Sequence, residues 1–264
     1  MSPIHPSHRT EHPREGFVAP VGAFLGAVFS GRFRWLLASL VILMFVAPLY
    51  GGVRLVRLGA APLYVGDVIN FCFLIVAIAT YHRRRLEFWS LVVLVVVAQT
   101  TGLAARFAPE PWATALGVGS LVAAGCVMLS IALLISSDVF SRTQVDGDAI
   151  CGSISVYMLA GVVFAAVYSM ILLASPEQFR IADGLAAEDP SLGPHRLMLY
   201  FSLTTLTTVG YGDITPLGDL PRSLANAEAI FGQAYLTVLV ARLVGQHLAR
   251  RPESTPSEDA ARPG

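Results

Sequence analysis

The chain has 264 residues, of which 55% are hydrophobic and 14% charged, with a mean hydropathy of +0.64. That balance excludes an ordinary soluble domain and reads as an integral membrane protein. The formal net charge is zero, which leaves no basic footprint for nucleic acid. The three cysteines, Cys72, Cys126 and Cys151, fall in apolar stretches, as buried inert thiols do, and do not form a disulfide framework.

Taken in order, residues 1–32 form a tail, rich at first in His, Pro, Arg and Glu, with an apolar, glycine-broken stretch over 17–29 suited to the membrane interface. No secretory leader is expected, because no small-residue cleavage site follows a short apolar core. A spanning helix needs about twenty apolar residues. Six segments answer to that measure, over 33–50, 63–81, 88–105, 112–136, 150–174 and 224–248. The first four make a helical domain over 33–136, and a cytoplasmic linker follows over 137–149. Its acidic turn, Val145-Asp146-Gly147-Asp148, is placed to cap the fifth span. Tyr157 and Tyr168, near the two ends of that span, read as interfacial anchors. A second module covers 150–249, and 250–264 is a disordered tail too short to fold as a regulatory domain.

Between the last two spans, the apolar segment 197–207 is too short to cross. It suits a re-entrant helix ending at mid-membrane, where non-helical backbone is tolerated only along a water-filled or protein-lined pathway. Orientation follows from the arginines. With the N-terminus inside, the cytoplasmic face collects Arg9, Arg14, Arg32, Arg34, Arg83, Arg84, Arg85, Arg142, Arg250 and Arg251, leaving Arg54, Arg57, Arg106, Arg180, Arg196 and Arg222 outside. Both termini are therefore expected in the cytoplasm. Arg242, near the inner end of the last span, is expected to snorkel to lipid headgroups.

The segment after the re-entrant helix, Thr208-Val209-Gly210-Tyr211-Gly212, has the composition of a backbone that coordinates a bare cation. Its glycines permit angles at which consecutive carbonyls point one way. Thr208 adds a neutral hydroxyl, and Asp213 puts a negative charge at the outer mouth. No residue from Thr208 to Gly212 is charged, which suits an ion that must also leave. Together with its neighbours, Thr207-Thr208-Val209-Gly210-Tyr211-Gly212-Asp213 resembles the selectivity filter of potassium channels.

The resemblance implies an all-α membrane protein of six transmembrane helices plus a re-entrant pore helix and filter. One filter per chain implies a homotetramer in membrane lipid. It places K+ at Thr208, Val209, Gly210 and Tyr211 as the permeant species, with no cofactor and no enzymatic role. Tyr200 and Phe201 fall where related channels brace the filter, with Thr207 flanking it. Thr204 stands where some relatives carry an acid bonded to the aspartate after the filter, so Asp213 lacks that partner here. Gly232 occupies the place of a gating hinge, or else of a packing glycine, in the inner helix. Glu228, one turn earlier, is an acid inside an apolar helix, which marks a role: accepting hydrogen bonds behind the filter, or concentrating cations.

In outline the six spans resemble the voltage-gated superfamily, yet the fourth, over 112–136, contains no arginine. Moving one charge through the membrane supplies about 2.3 kcal/mol per 100 mV, and this helix has none to move. Two other readings differ in kind. One is a less selective monovalent cation channel. The other is an intramembrane aspartyl protease, since Gly210-Tyr211-Gly212-Asp213 also fits that family's Gly-x-Gly-Asp pattern, with Asp67 as the second carboxylate.

Overall fold

Small side chains on one long helix decide how the others approach it. The computed structural model describes residues 31–50, 54–58, 61–80, 85–109, 111–142, 146–182, 185 and 193–249. The tails expected over 1–30 and 250–264, and the interfacial stretch over 17–29, lie outside these residues. In chain order come α1 (Arg32–Val41), a π-helical turn (Ile42–Val46), α2 (Ala47–Tyr50), β1 (Arg54–Leu58), β2 (Ala61–Tyr64), α3 (Val65–Thr80), α4 (Arg85–Ala105) and α5 (Trp112–Ser141). Then follow α6 (Gly147–Ala174), a 3-10 turn (Pro176–Gln178), β3 (Phe179–Ile181), α7 (Gly193–Leu206), β4 (Ile214–Pro216) and α8 (Asp219–Ala249).

Four of these helices are long and apolar enough to cross a membrane, over Phe88–Ala105, Trp112–Ser141, Gly147–Ala174 and Asp219–Gly245. The protein is thus mostly helical and multi-pass. The other two expected spans are shorter apolar helices, Phe33–Val46 and Asp67–Thr80. Pro48 has no N–H to offer the carbonyl of Met44, and the helix widens into its π turn just before it. The second expected span loses its first residues to a hairpin, in which Leu63 pairs with Val56 and Tyr64 with Arg54. The chain is accordingly not purely α-helical, since β3 and β4 also pair, antiparallel, with Phe179 opposite Pro216 and Ile181 opposite Ile214.

Helix α6 packs against α1, α5 and α7. Its buried positions include Gly152, Ser153, Ser155, Gly161, Ala165 and Ala166, and residues this small let helix backbones draw close. A Cβ on Gly161 would lie 3.0 Å from Leu203 Cδ2 on α7. The main core draws on α1 (Phe33, Leu36, Leu40) and α5 (Val127, Ile131, Ile135, Val139), which pack against α6, and on α3 (Phe73, Leu74, Ala77), which packs against α1, each set repeating at three or four residues as one helix face does. A second cluster, around Tyr168, Phe179, Met198, Phe201 and Ile214, joins α6, β3, α7 and β4.

The linker expected over 137–149 is shorter, because α5 continues through Ser141 and α6 opens at Gly147. Polar residues continue α5 past its apolar run because they meet charge there: Arg142 lies 3.7 Å from Asp138, 3.2 Å from Asp146 and 3.5 Å from Asp148. Asp146 caps α6 as the acidic turn implied, accepting from the Ala149 N–H at 2.8 Å. Asp148 reaches across to α1 and accepts from the Phe33 N–H at 2.8 Å, a donor that has no partner within its own helix. Arg242 does not extend to lipid as expected. Its guanidinium donates to the carbonyls of Val139 and Arg142, both at 2.8 Å, and so closes the C-terminal end of α5 from α8. The cysteines carry no disulfide, but Cys72 and Cys126 are exposed on the single chain where burial was expected.

Replacing Asp146 by Ala should lower stability by about 1 kcal/mol through loss of the cap, while Asp146→Asn keeps most of it. Unfolding midpoints in mixed micelles would measure both, and an Ala variant as stable as the parent would rule the cap out.

Candidate pore site

Helix α7 has 14 residues. At 1.5 Å per residue it is about 21 Å long, short of the ~30 Å hydrocarbon layer, so it cannot cross a membrane as α6 and α8 can. The last four carbonyls of a helix have no partner within it. Here each is satisfied. The Thr207 N–H donates to Leu203 O at 3.1 Å, the Thr208 N–H to Thr205 O at 2.9 Å, and the Val209 and Gly210 N–H groups share Thr204 O at 2.8 and 3.1 Å. Leu206 O accepts from the Tyr157 hydroxyl at 3.0 Å.

That capping orients the segment that follows. In a trans peptide the C=O points opposite to the N–H it is bonded to. With the N–H groups of Thr208, Val209 and Gly210 turned back to the helix, the carbonyls of Thr207, Thr208 and Val209 point away from it. The hand of the backbone then alternates: φ is +60° at Thr208, +52° at Gly210 and +82° at Gly212, and no other described residue has positive φ. A regular strand sends successive carbonyls to opposite sides, whereas alternating hand keeps them on one. Glycine adopts these angles freely, but at Thr208 the left-handed region costs about 1–2 kcal/mol. Strain of this kind persists where the surroundings over-determine it, and functional sites are where it clusters.

Among the described residues, no hydrogen bond reaches the carbonyls of residues 208–212. The segment is exposed on the single chain, Val209 by 52% and Tyr211 by 71%, and a Cβ on Gly210 or Gly212 would meet nothing within 4 Å. It therefore offers a row of uncharged oxygens along an open edge. Among the described residues no group of three or more His, Cys, Asp or Glu could hold a metal ion.

The expected supporting residues come together around this row, with some exchanged roles. Asp213 does have a partner. The Tyr200 hydroxyl donates to its Oδ2 at 2.6 Å, and this bond pushes the Tyr200 hydroxyl up to about 12. The Ile214 N–H bonds Oδ1 at 3.0 Å, and the Ala182 N–H binds the Asp213 carbonyl at 2.9 Å. Tyr200 lies parallel to Tyr211, with ring centroids 6.3 Å apart, whereas Phe201 turns to the rear, edge-on to Tyr168 at 5.0 Å and to Phe179 at 5.8 Å. Thr204 acts through its carbonyl, while its hydroxyl is spent on Phe201 O at 2.9 Å. Thr207 donates its hydroxyl to Leu203 O at 2.7 Å.

Behind α7, Glu228 is fully buried, accepting from the Tyr168 hydroxyl at 2.9 Å and touching the Ser202 hydroxyl. Tyr157, half-buried, and Tyr168, buried, are thus partners of the end of α7 and of Glu228, where interfacial anchors were expected. Ser202 and Tyr168 escaped the sequence; the signal that could have found them was Glu228 itself, an acid in an apolar helix that requires polar neighbours. Helix α8 runs unbroken through Gly232, where a Cβ would collide with the Leu206 carbonyl.

Residues 195–246, from the first turn of α7 to near the end of α8, match the family model described as an ion channel. A stretch of 55 residues is 40% identical to Two pore potassium channel a of Oryza sativa subsp. japonica, covering 21% of this chain and 16% of that protein. A stretch of 87 residues is 40% identical to Protein LctB of Geobacillus stearothermophilus and 38% identical to Protein LctB of Bacillus caldotenax, covering 33% of this chain and 62% of each. The chain thus spans less than two thirds of these relatives' length. The matches support an ion channel and point to a protein that is not an enzyme. For the protease alternative, the two carboxylates sit in separate networks: Asp67 is held by Arg106 at 2.7 and 3.0 Å, and Asp213 by Tyr200.

By propensity alone Gly→Ala within a helix stabilises by about 1 kcal/mol. Gly245→Ala, in open space, should behave so, whereas Gly232→Ala must displace backbone and is expected to destabilise by about 1–3 kcal/mol. Unfolding midpoints of the two variants measured side by side would check this, and a stabilised Gly232→Ala would contradict the close contact.

Proposed function

We propose that the protein is a potassium-selective channel that conducts K+ passively. The observation that carries this reading is the alternating backbone hand of Thr208, Gly210 and Gly212, with N–H groups turned into the pore helix and carbonyls turned out. Rings of such carbonyls, with the Thr208 hydroxyl below them, take the place of the water around a dehydrated monovalent ion. The negative end of the α7 dipole lies beside the same row and favours a cation there. No charge is buried among the oxygens, so an ion bound at Thr208, Val209, Gly210 or Tyr211 can pass on.

One chain supplies one wall. Four copies closed about an axis complete the rings, so the working unit is a homotetramer in membrane lipid. Helix α8 supports that reading, since on the single chain Ile230 is 70% exposed and Leu220, Val238, Val240 and Val244 are exposed as well. The first two apolar helices complete a six-span subunit with both termini in the cytoplasm. Gly232, where α8 leans on Leu206, is the position at which a bend would part the inner helix from the pore helix. Helix α5 contains no arginine, so opening responds weakly to voltage.

In proteoliposomes the protein should carry K+ flux, with reversal potentials in mixed K+ and Na+ that follow K+. Gly210→Asp puts a charged side chain into the row and should reduce flux to that of empty vesicles while leaving the oligomer intact. Equal permeability to Na+, or undiminished flux in the Asp variant, would contradict the filter.

A further inference from the structure

The buried contact behind the pore helix does not balance unless one more proton is present. Three oxygen–oxygen contacts meet there: Tyr168 Oη to Glu228 Oε2 at 2.9 Å, Ser202 Oγ to Glu228 Oε1, and Ser202 Oγ to the Gly161 carbonyl at 2.7 Å. Each requires a hydrogen between its two oxygens. Tyr168 supplies one and Ser202 supplies one, because a serine hydroxyl carries a single proton and a carbonyl carries none. With Glu228 ionised, one of the two Ser202 contacts sets lone pair against lone pair. No basic side chain bonds Glu228 among the described residues. The titratable groups that face it are Tyr168 and, further off, Tyr157 on α6, while α7 offers only the Ser202 hydroxyl.

We propose that Glu228 is a neutral carboxylic acid at neutral pH, with its proton on Oε1 donated to Ser202 Oγ, which in turn donates to Gly161 O. Tyr168 donates to Oε2, and each of the three oxygen–oxygen contacts then holds one hydrogen. The chain runs from α8 through α7 to α6 and so fixes the pore helix two residues before Thr204, whose carbonyl holds Val209 and Gly210. Glu228 is a positioning residue in this arrangement. Its effect on permeation rests on the cation-filter reading above, whereas its proton does not.

Two measurements on the full-length protein in lipid test the assignment. The infrared difference between the parent and Glu228→Gln at neutral pH should show the carbonyl stretch of an undissociated carboxylic acid, shifted in Ser202→Ala, where its acceptor is gone. A carboxylate band in its place overturns the proposal whether or not the protein carries K+. Gln keeps an acceptor for Tyr168 and an N–H for Ser202, so Glu228→Gln should retain the parent's unfolding midpoint and K+ flux, while Glu228→Leu loses both. A Gln variant as impaired as the Leu variant, or a Leu variant with full flux, also overturns it.

Discussion

The carbonyl of Thr204 accepting from both Val209 and Gly210 is the constraint on which the site depends. The last carbonyls of a helix have no partner within it and must find one elsewhere. Here the segment downstream supplies the donors, and by turning its N–H groups back it turns its own carbonyls out. One requirement, that a helix end be capped, is enough to orient the row of oxygens that follows it.

The rest of the described structure holds that helix end in place. Tyr157 on α6 closes Leu206 O, and α8 presses Gly232 against the same carbonyl from the other side. At the far end of the row, Asp213 is held by Tyr200, by its neighbour's N–H and by Ala182, while β3 pairs with β4 directly beyond it. At the opposite end of α6, Arg242 and Arg142 join α8 and the α5–α6 turn through carbonyls and carboxylates. The left-handed Thr208 is tolerable because both sides of it are fastened in this way.

Much of this was legible in the residues. Long apolar runs mark α4, α5, α6 and α8, and the acidic turn before α6 marks its cap, because burial and capping are local demands. The two strand pairs were not legible, since strands of three to five residues carry no period. Nor was Thr208, since a β-branched residue gives no sign of adopting positive φ until its N–H is seen bonded to Thr205 O. The Tyr168–Glu228 bond joins residues 60 apart in the chain, a pairing that only packing determines. Arg242 read as a lipid-facing cation because its acceptors are main-chain carbonyls, which every residue has and no sequence distinguishes.

Whether residues 208–212 hold dehydrated cations is decided most directly by anomalous diffraction from crystals of the assembled protein grown in rubidium. The result expected is a line of anomalous peaks on the symmetry axis, level with the carbonyls of Thr208, Val209, Gly210 and Tyr211. Crystals in which those carbonyls face lipid or protein, with rubidium absent from the axis, would contradict it.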